Sequence, residues 1–412
     1  LKGLNSDQTS AENTFDSVRS FTSTGVTVGT SATTNSNGGT YVAWNWKAGG
    51  TEPTKIYKVK VVADSTDYGH GTGSNKYQFF KSDGTTGFGT NGVDLDLQEG
   101  GTYVFDYSDS SAQSHPLRFS LTNDGTHSSG TSAGSEYTTG VVKDDSAYKT
   151  TITVASGVAT LYYYCANHSG MGGQVNTNTT HGSTNFDGSI LSVVQTNETA
   201  KFSILTYTGT GSASTIGHGL GIAPNMVITK VRSTANNWAV YHVGINDNTK
   251  AVLLDTTGAA TAYGGSTSLW NNTAPTSTVF SVGTNSSTGG SANFVAYVFA
   301  EVEGYSKFGT YTGNGSTDGT FVYTGFRPSW IMLKKTSSTG QWLMFDNKRN
   351  GFNPDNRELA SDTSASEQDY DRLDFVSNGF KQRTNFSHNN ASGSTYIYMA
   401  FADQPFKFSN AR

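Results

Sequence analysis

Four side chains in this sequence combine into a donor set with defined chemistry. Cys165 is the sole cysteine, and His168 and Met171 follow it on the run Cys165-Ala166-Asn167-His168-Ser169-Gly170-Met171. Upstream, Ser114-His115-Pro116-Leu117 supplies a second imidazole. One thiolate, two imidazoles and a thioether are the ligand set of a mononuclear blue-copper centre. Such a set suits both oxidation states of copper with little rearrangement, whereas methionine is a poor ligand for zinc. The sequence nominates His115, Cys165, His168 and Met171 as metal ligands and copper as the cofactor. A scaffold that keeps these residues without the metal is the competing reading.

Other candidates carry less. His218, in Gly217-His218-Gly219-Leu220-Gly221, reads as a turn residue, and its counterpart in the repeat described below is Val322. Asp369, Asp371 and Asp374 lack the spacing of a calcium cage and read as a solvated acidic loop. Paired catalytic carboxylates, a nucleophile elbow and a phosphate-binding loop are all missing from the sequence. The expectation is a protein that is not an enzyme.

Composition sets further bounds. The net charge is −5, and lysines and arginines form no basic stripe, which argues against nucleic acid as a partner. Apolar runs are too short for a membrane span. One cysteine cannot make an intrachain disulfide framework, so stability must come from packing or oligomerisation. Charged residues are only 14% and aromatics 12%, with 48 glycines. Polar turns laid over aromatic strands predict an all-β fold.

The elements that must position the four donors lie between about Lys55 and Val175. Alternating segments predict strands at Tyr57–Val62, Lys76–Phe80, Val93–Leu97, Tyr103–Tyr107, Leu117–Leu121, Thr150–Val154 and Thr160–Cys165. Most show one wet and one apolar face, as in a sandwich. Cys165 ends the last of these strands, and His115 precedes the one at Leu117. A long polar loop is expected at 124–148.

Around this block the sequence repeats itself. Tyr207, Gly221, Pro224 and Trp238 recur as Tyr311, Gly325, Pro328 and Trp342, each pair 104 residues apart. Each copy closes on an aromatic strand, Phe294–Ala300 and Tyr396–Ala402. A third closing unit stands near the start, with Phe21 and Gly25 matching Phe375 and Gly379 and with Tyr41–Trp46 as its aromatic strand. Its first half has no counterpart, and half a repeat cannot bury its own face. The reading is therefore that the gene product extends upstream. The expected division is a half repeat at 1–50, an inserted β-sandwich at 51–178, a linker at 179–198, and β repeats at 199–303 and 304–412. Gly49–Pro53 is expected as a second linker.

Two resemblances attach to these motifs. The strand ending in Tyr164-Cys165, with His168 and Met171 beyond it and Gly173-Gln174-Val175 opening a last strand, resembles the cupredoxins, the plastocyanin and amicyanin family. It implies a Greek-key β-sandwich with copper held by His115, Cys165, His168 and Met171. The His-Pro pair at 115–116 and the long loop at 124–148 depart from the small electron carriers. Residues 1–50 and 183–412 resemble the repeat module of structural proteins from marine tailed bacteriophages, through Tyr207-Thr208-Gly209, Gly325-Phe326-Arg327-Pro328-Ser329-Trp330 and Val42-Ala43-Trp44-Asn45-Trp46. That resemblance implies a virion-surface appendage, such as a tail fibre, spike or capsid decoration. Its partners would be its own copies (a trimer), other virion proteins, and a host receptor or glycan. A copper or electron-transfer protein displayed on repeats and a bacterial surface adhesin are the alternatives.

Overall fold

The structure is a computed structural model, and it describes residues 1–22, 24–49, 53–125, 135–177 and 182–403. It is all-β: among the described residues the helical elements are one turn of α-helix at Ala32–Asn35 and a 3-10 turn at Val243–Ile245. The predicted linker at Gly49–Pro53 lies partly outside the described residues, as does much of the loop at 124–148.

Two sheets form the inserted block. One has five strands in the order Asn75–Phe79, Thr54–Ala63, Thr102–Asp106, Lys149–Thr153, Val141–Asp144. The other orders Leu95–Asp96, Gly173–Asn176, Leu161–Cys165 and Leu117–Ser120. Strand Thr102–Asp106 alternates buried and half-buried positions, so Tyr103 and Phe105 enter the core. Phe79, Phe119, Leu161 and Tyr163 join them there. Within the expected loop at 124–148, residues Val141–Asp144 are a strand instead, because they pair along Lys149–Thr153 as an edge.

The segment expected as a linker is also strand, which corrects that reading. Ser183–Asn185 and Ser192–Asn197 extend the seven-stranded sheet of repeat 1. The same segment seals the inserted sandwich. Tyr57 Oη donates to Thr184 O at 2.8 Å, Tyr103 Oη and Ser183 Oγ lie 2.6 Å apart, and Phe186 stacks on Phe79 at 4.7 Å. Its Ser/Thr/Asn composition looks like a linker, but the Ser183 hydroxyl and the Thr184 carbonyl cap buried tyrosines.

Repeats 1 and 2 share a strand order. Phe202–Thr208, Asn293–Phe299, Met226–Val231, Ala239–His242 and Val252–Leu253 lie in the same sequence as Ser306–Thr312, Thr395–Ala402, Pro328–Lys335, Trp342–Asp346 and Asp355–Ala360. Registers agree as well: Tyr207 faces Phe294 as Tyr311 faces Tyr396, and Met226 faces Phe299 as Trp330 faces Phe401. Repeat 2 curls further, because Gln368–Val376, Gly379–Gln382 and Phe321–Tyr323 continue its sheet to a total of eight strands.

The N-terminal half repeat keeps one of its two expected features. Val18–Phe21 and Val26–Val28 form a hairpin with Phe21 opposite Val26, as Phe375 is opposite Phe380. Tyr41–Trp46 joins no ladder, so the strand expected there is not formed. In repeat 2 the equivalent strand is held by neighbours on both sides, Ser306–Thr312 and Pro328–Lys335. Both neighbours belong to the half that has no counterpart here, and a ladder needs a partner. Trp44 and Trp46 instead pack edgewise on Trp330, with ring centroids at 6.0 and 5.0 Å.

Candidate metal centre

The site is built at one end of the inserted sandwich by two neighbouring strands. Cys165 pairs with Leu117 in the antiparallel ladder, which places the residues before Leu117 beside the turn after Cys165. Ala166 N donates to Pro116 O at 2.9 Å and Asn167 Nδ2 to Ser114 O at 2.9 Å, bracketing His115 on both sides. His115 is fixed further through its own backbone: its N–H donates to Ala112 O at 2.8 Å and its carbonyl accepts from Tyr77 Oη at 2.7 Å.

Residues 166–172 must turn tightly to return the chain to Gly173–Asn176. Gly170 makes this possible at φ 69°, where a side chain would strike the backbone of Thr72 and Gly73. A Cβ at Gly172 would sit 1.7 Å from Tyr163 O. Three polar contacts hold the loop: Gly170 N donates to Asp124 Oδ1 at 2.8 Å, the buried Lys76 ammonium donates to Gly170 O, and Tyr77 N donates to Met171 O at 2.9 Å.

The result is convergence. Cys165 Sγ lies 3.7 Å from His115 Nδ1 and 3.7 Å from His168 Nδ1, and the three donor atoms all fall within 4.8 Å of one another. The two imidazole centroids are 4.6 Å apart with their planes inclined at 45°. Asn167 N points at the sulfur from 3.4 Å. Cys165 is fully buried, His115 half-buried and His168 exposed. Met171 is buried in the same packed cluster as Cys165. Burial pushes the Cys165 thiol up, and burial followed by the neighbouring His168 pulls His115 down. Both effects favour neutral groups until a cation supplies the compensating charge.

This arrangement fits a metal ion. Donors about 2.0–2.3 Å from one ion, spread over a trigonal or tetrahedral shell, stand about 3.5 Å apart. The observed spacing of 3.7 Å needs only a small contraction. A backbone N–H aimed at the sulfur stabilises a thiolate, since such second contacts tune the ligand. Sequence reasoning found the four donors but missed Asn167, Tyr77, Lys76 and Asp124. Asn167 was legible from its place between two donors; the other three have no local signal.

The remaining histidine and carboxylate candidates take structural roles. His218 is fully buried, with Nε2 3.2 Å from Thr276 O and Nδ1 accepting from Leu220 N at 3.2 Å. Asp369, Asp371 and Asp374 lie on a strand, Gln368–Val376, rather than on the expected loop. Asp374 there pairs with Arg383 at 3.4 Å.

Fold and site together define an all-β repeat protein carrying a Cys-His-His cluster in an inserted sandwich. The chain belongs to a family described as a domain of unknown function (DUF7483), whose model matches residues 1–70 and 173–405. No curated protein and no solved structure matches the chain. The family match passes over residues 71–172, the segment that contains all four nominated donors.

Proposed function

We propose that the protein is a structural β-repeat protein whose inserted sandwich binds a single copper ion through Cys165, His115 and His168, with Met171 as the weak fourth donor. The observation that carries this is the meeting of one buried sulfur and two imidazole nitrogens within 4.8 Å at the end of a rigid strand pair. A thiolate and two imidazoles select copper over magnesium or calcium, and the thioether of Met171 as a fourth donor would favour it over zinc. Bound copper would supply one-electron redox chemistry, and exposed His168 would be its edge toward solvent.

For the repeats, the reading is a virion appendage of a tailed bacteriophage, assembled from copies of this chain and other virion proteins and facing a host receptor or glycan. Its support is the resemblance of the repeat motifs together with the duplicated β modules. Immunogold labelling of particles tests it; label on a bacterial envelope and none on particles would favour the adhesin.

For the metal, Cu(II) titrated into the full chain is expected to give an intense charge-transfer band at one equivalent. Cys165→Ser should abolish the band, and His115→Ala should weaken binding while leaving the far-UV spectrum unchanged. Met171→Leu should keep the colour and raise the reduction potential. A colourless wild-type chain that loses its copper on dialysis refutes the proposal.

A further inference from the structure

The contacts between the three repeat copies obey one rule, and the rule closes on itself. Repeat 1 receives the segment before it through the ring nitrogen of Trp238, which donates to Asn5 O at 3.0 Å. The Lys230 ammonium donates to Thr9 O at 2.9 Å, and Glu12 N donates to Arg232 O at 2.9 Å. Repeat 2 receives repeat 1 in the same way. Trp342 Nε1 donates to Leu253 O at 2.8 Å, Lys334 Nζ to Thr256 O at 3.3 Å, and Ala260 N to Thr336 O at 3.0 Å. Bridges at the two joints correspond too, Gly3 with Asn13 and Ala251 with Thr261. The half repeat therefore precedes repeat 1 as repeat 1 precedes repeat 2.

The half repeat also follows repeat 2. Where repeat 2 lies on repeat 1, His242 Nε2 is 3.1 Å from the Tyr398 carbonyl. The position equivalent to His242 in repeat 2 is Asp346, and Trp44, which matches Met399, donates to it at 3.2 Å. The matching aromatics Phe299, Phe401 and Trp46 meet at the centre, with Phe401 at 6.3 Å from Phe299 and 5.4 Å from Trp46. A unit that stands before the first and after the second of two like modules closes a ring of three.

In the third position of that ring, residues 1–49 match only the second half of a repeat, and they carry exposed apolar side chains. Phe21 is 72% exposed and Tyr41 51%, whereas their equivalents Phe375 and Tyr396 are 3% and 0%. In repeat 2, Tyr311 covers the second of these by stacking on Tyr396 at 4.9 Å, and it also meets Phe380 at 6.0 Å. We infer that the face of Phe21, Val26, Val28 and Tyr41 binds a polypeptide segment built like the first half of a repeat, which completes a pseudo-threefold β-repeat ring. The occupant must bring a central aromatic strand to pair with Tyr41–Trp46. It must also bring a Lys/Trp hairpin, whose acceptors in repeat 2 would be the carbonyls around Ala360 and Thr363, the equivalents of Leu253 and Thr256. An exposed face of this kind marks an interaction site, and the two complete repeats show what covers it.

Register supplies a direct test. Leu1 aligns with Asn356, so a second copy of residues 304–355 fused before Leu1 rebuilds the missing half in the full chain. Hydrogen exchange of residues 18–28 and 41–46 is expected to slow about tenfold or more as the ladder forms. The same fusion with Tyr311→Asp in the added copy should lose that protection. Unchanged exchange, with the added residues themselves unprotected, overturns the inference. So does a self-associated unfused chain that Phe21→Asp makes monomeric and the fusion does not, because the face would then be an interface between copies.

Discussion

The metal end of the inserted sandwich and the cores of the repeats give their histidines different partners. In the repeats, three buried side chains are satisfied by backbone carbonyls: His242 by Tyr398, Lys334 by Thr256 and Gly340, Trp342 by Leu253. In the sandwich, the rings of His115 and His168 turn toward a sulfur and toward each other. Residue type alone does not separate these cases. A histidine whose partner is a main-chain carbonyl serves the fold, within a repeat or at a joint, while two histidines sharing one thiol form a place for a cation. The gap in the family match falls on the same division, since the joints lie in matched sequence and the donors outside it.

The sharpest way to break this comparison is to cut a joint. Trp342 is 2% exposed and ties two repeats together. Trp342→Ala is expected to cost about 3–5 kcal/mol in chemical denaturation, through lost burial and a carbonyl left without its donor. Copper uptake by the sandwich should be unchanged. Coupled loss of both would show that the sandwich and the repeats do not behave as separate units.

Acid probes the same difference with a smaller effect. Burial depresses His218 and His242 to about 4, while the unfolded chain holds its histidines near 6.5. Between these values the unfolded state binds more protons, so stability rises with pH across the window and is lost as pH falls through it. The expected loss is about 3 kcal/mol per histidine from pH 6.5 to 4. Asp355 in repeat 2 acts in the opposite sense: burial raises it to about 6, so its protonation favours the folded state as pH falls through that value. Exchange protection should therefore fail first in repeat 1. A His218→Gln, His242→Gln variant with an unaltered pH profile would contradict this ordering.

The smallest effect is expected where the chemistry is richest. Cys165→Ser should change the unfolding free energy by about 1 kcal/mol or less, although it removes the metal site, because the two side chains are similar in size and the strand ladder is untouched. If this substitution destabilises the chain as much as Trp342→Ala, Cys165 is a core residue first and a ligand second.

Much of this was legible in the linear sequence. The donors are legible because Cys165, His168 and Met171 share one loop, and strand alternation marks the walls of the sandwich. The interval of 104 residues gives the repeats because duplicated modules keep their core positions. The N-terminal half repeat marks the limit. Phe21 and Tyr41 carry the pattern of Phe375 and Tyr396, yet only the hairpin forms, since a hairpin is local and the closing strand needs neighbours from elsewhere. Ser183–Asn185 failed as a linker for the converse reason: polar residues become strand when a sheet edge and buried tyrosines accept them. The sequence by itself determined which residues repeat and which can ligate, because both follow from side-chain type and spacing. Tertiary structure alone decided that His115 reaches Cys165, that Tyr77 and Asp124 hold the loop, and that the half repeat touches both complete repeats. Those contacts join residues that are distant along the chain, and only the folded backbone sets their separation.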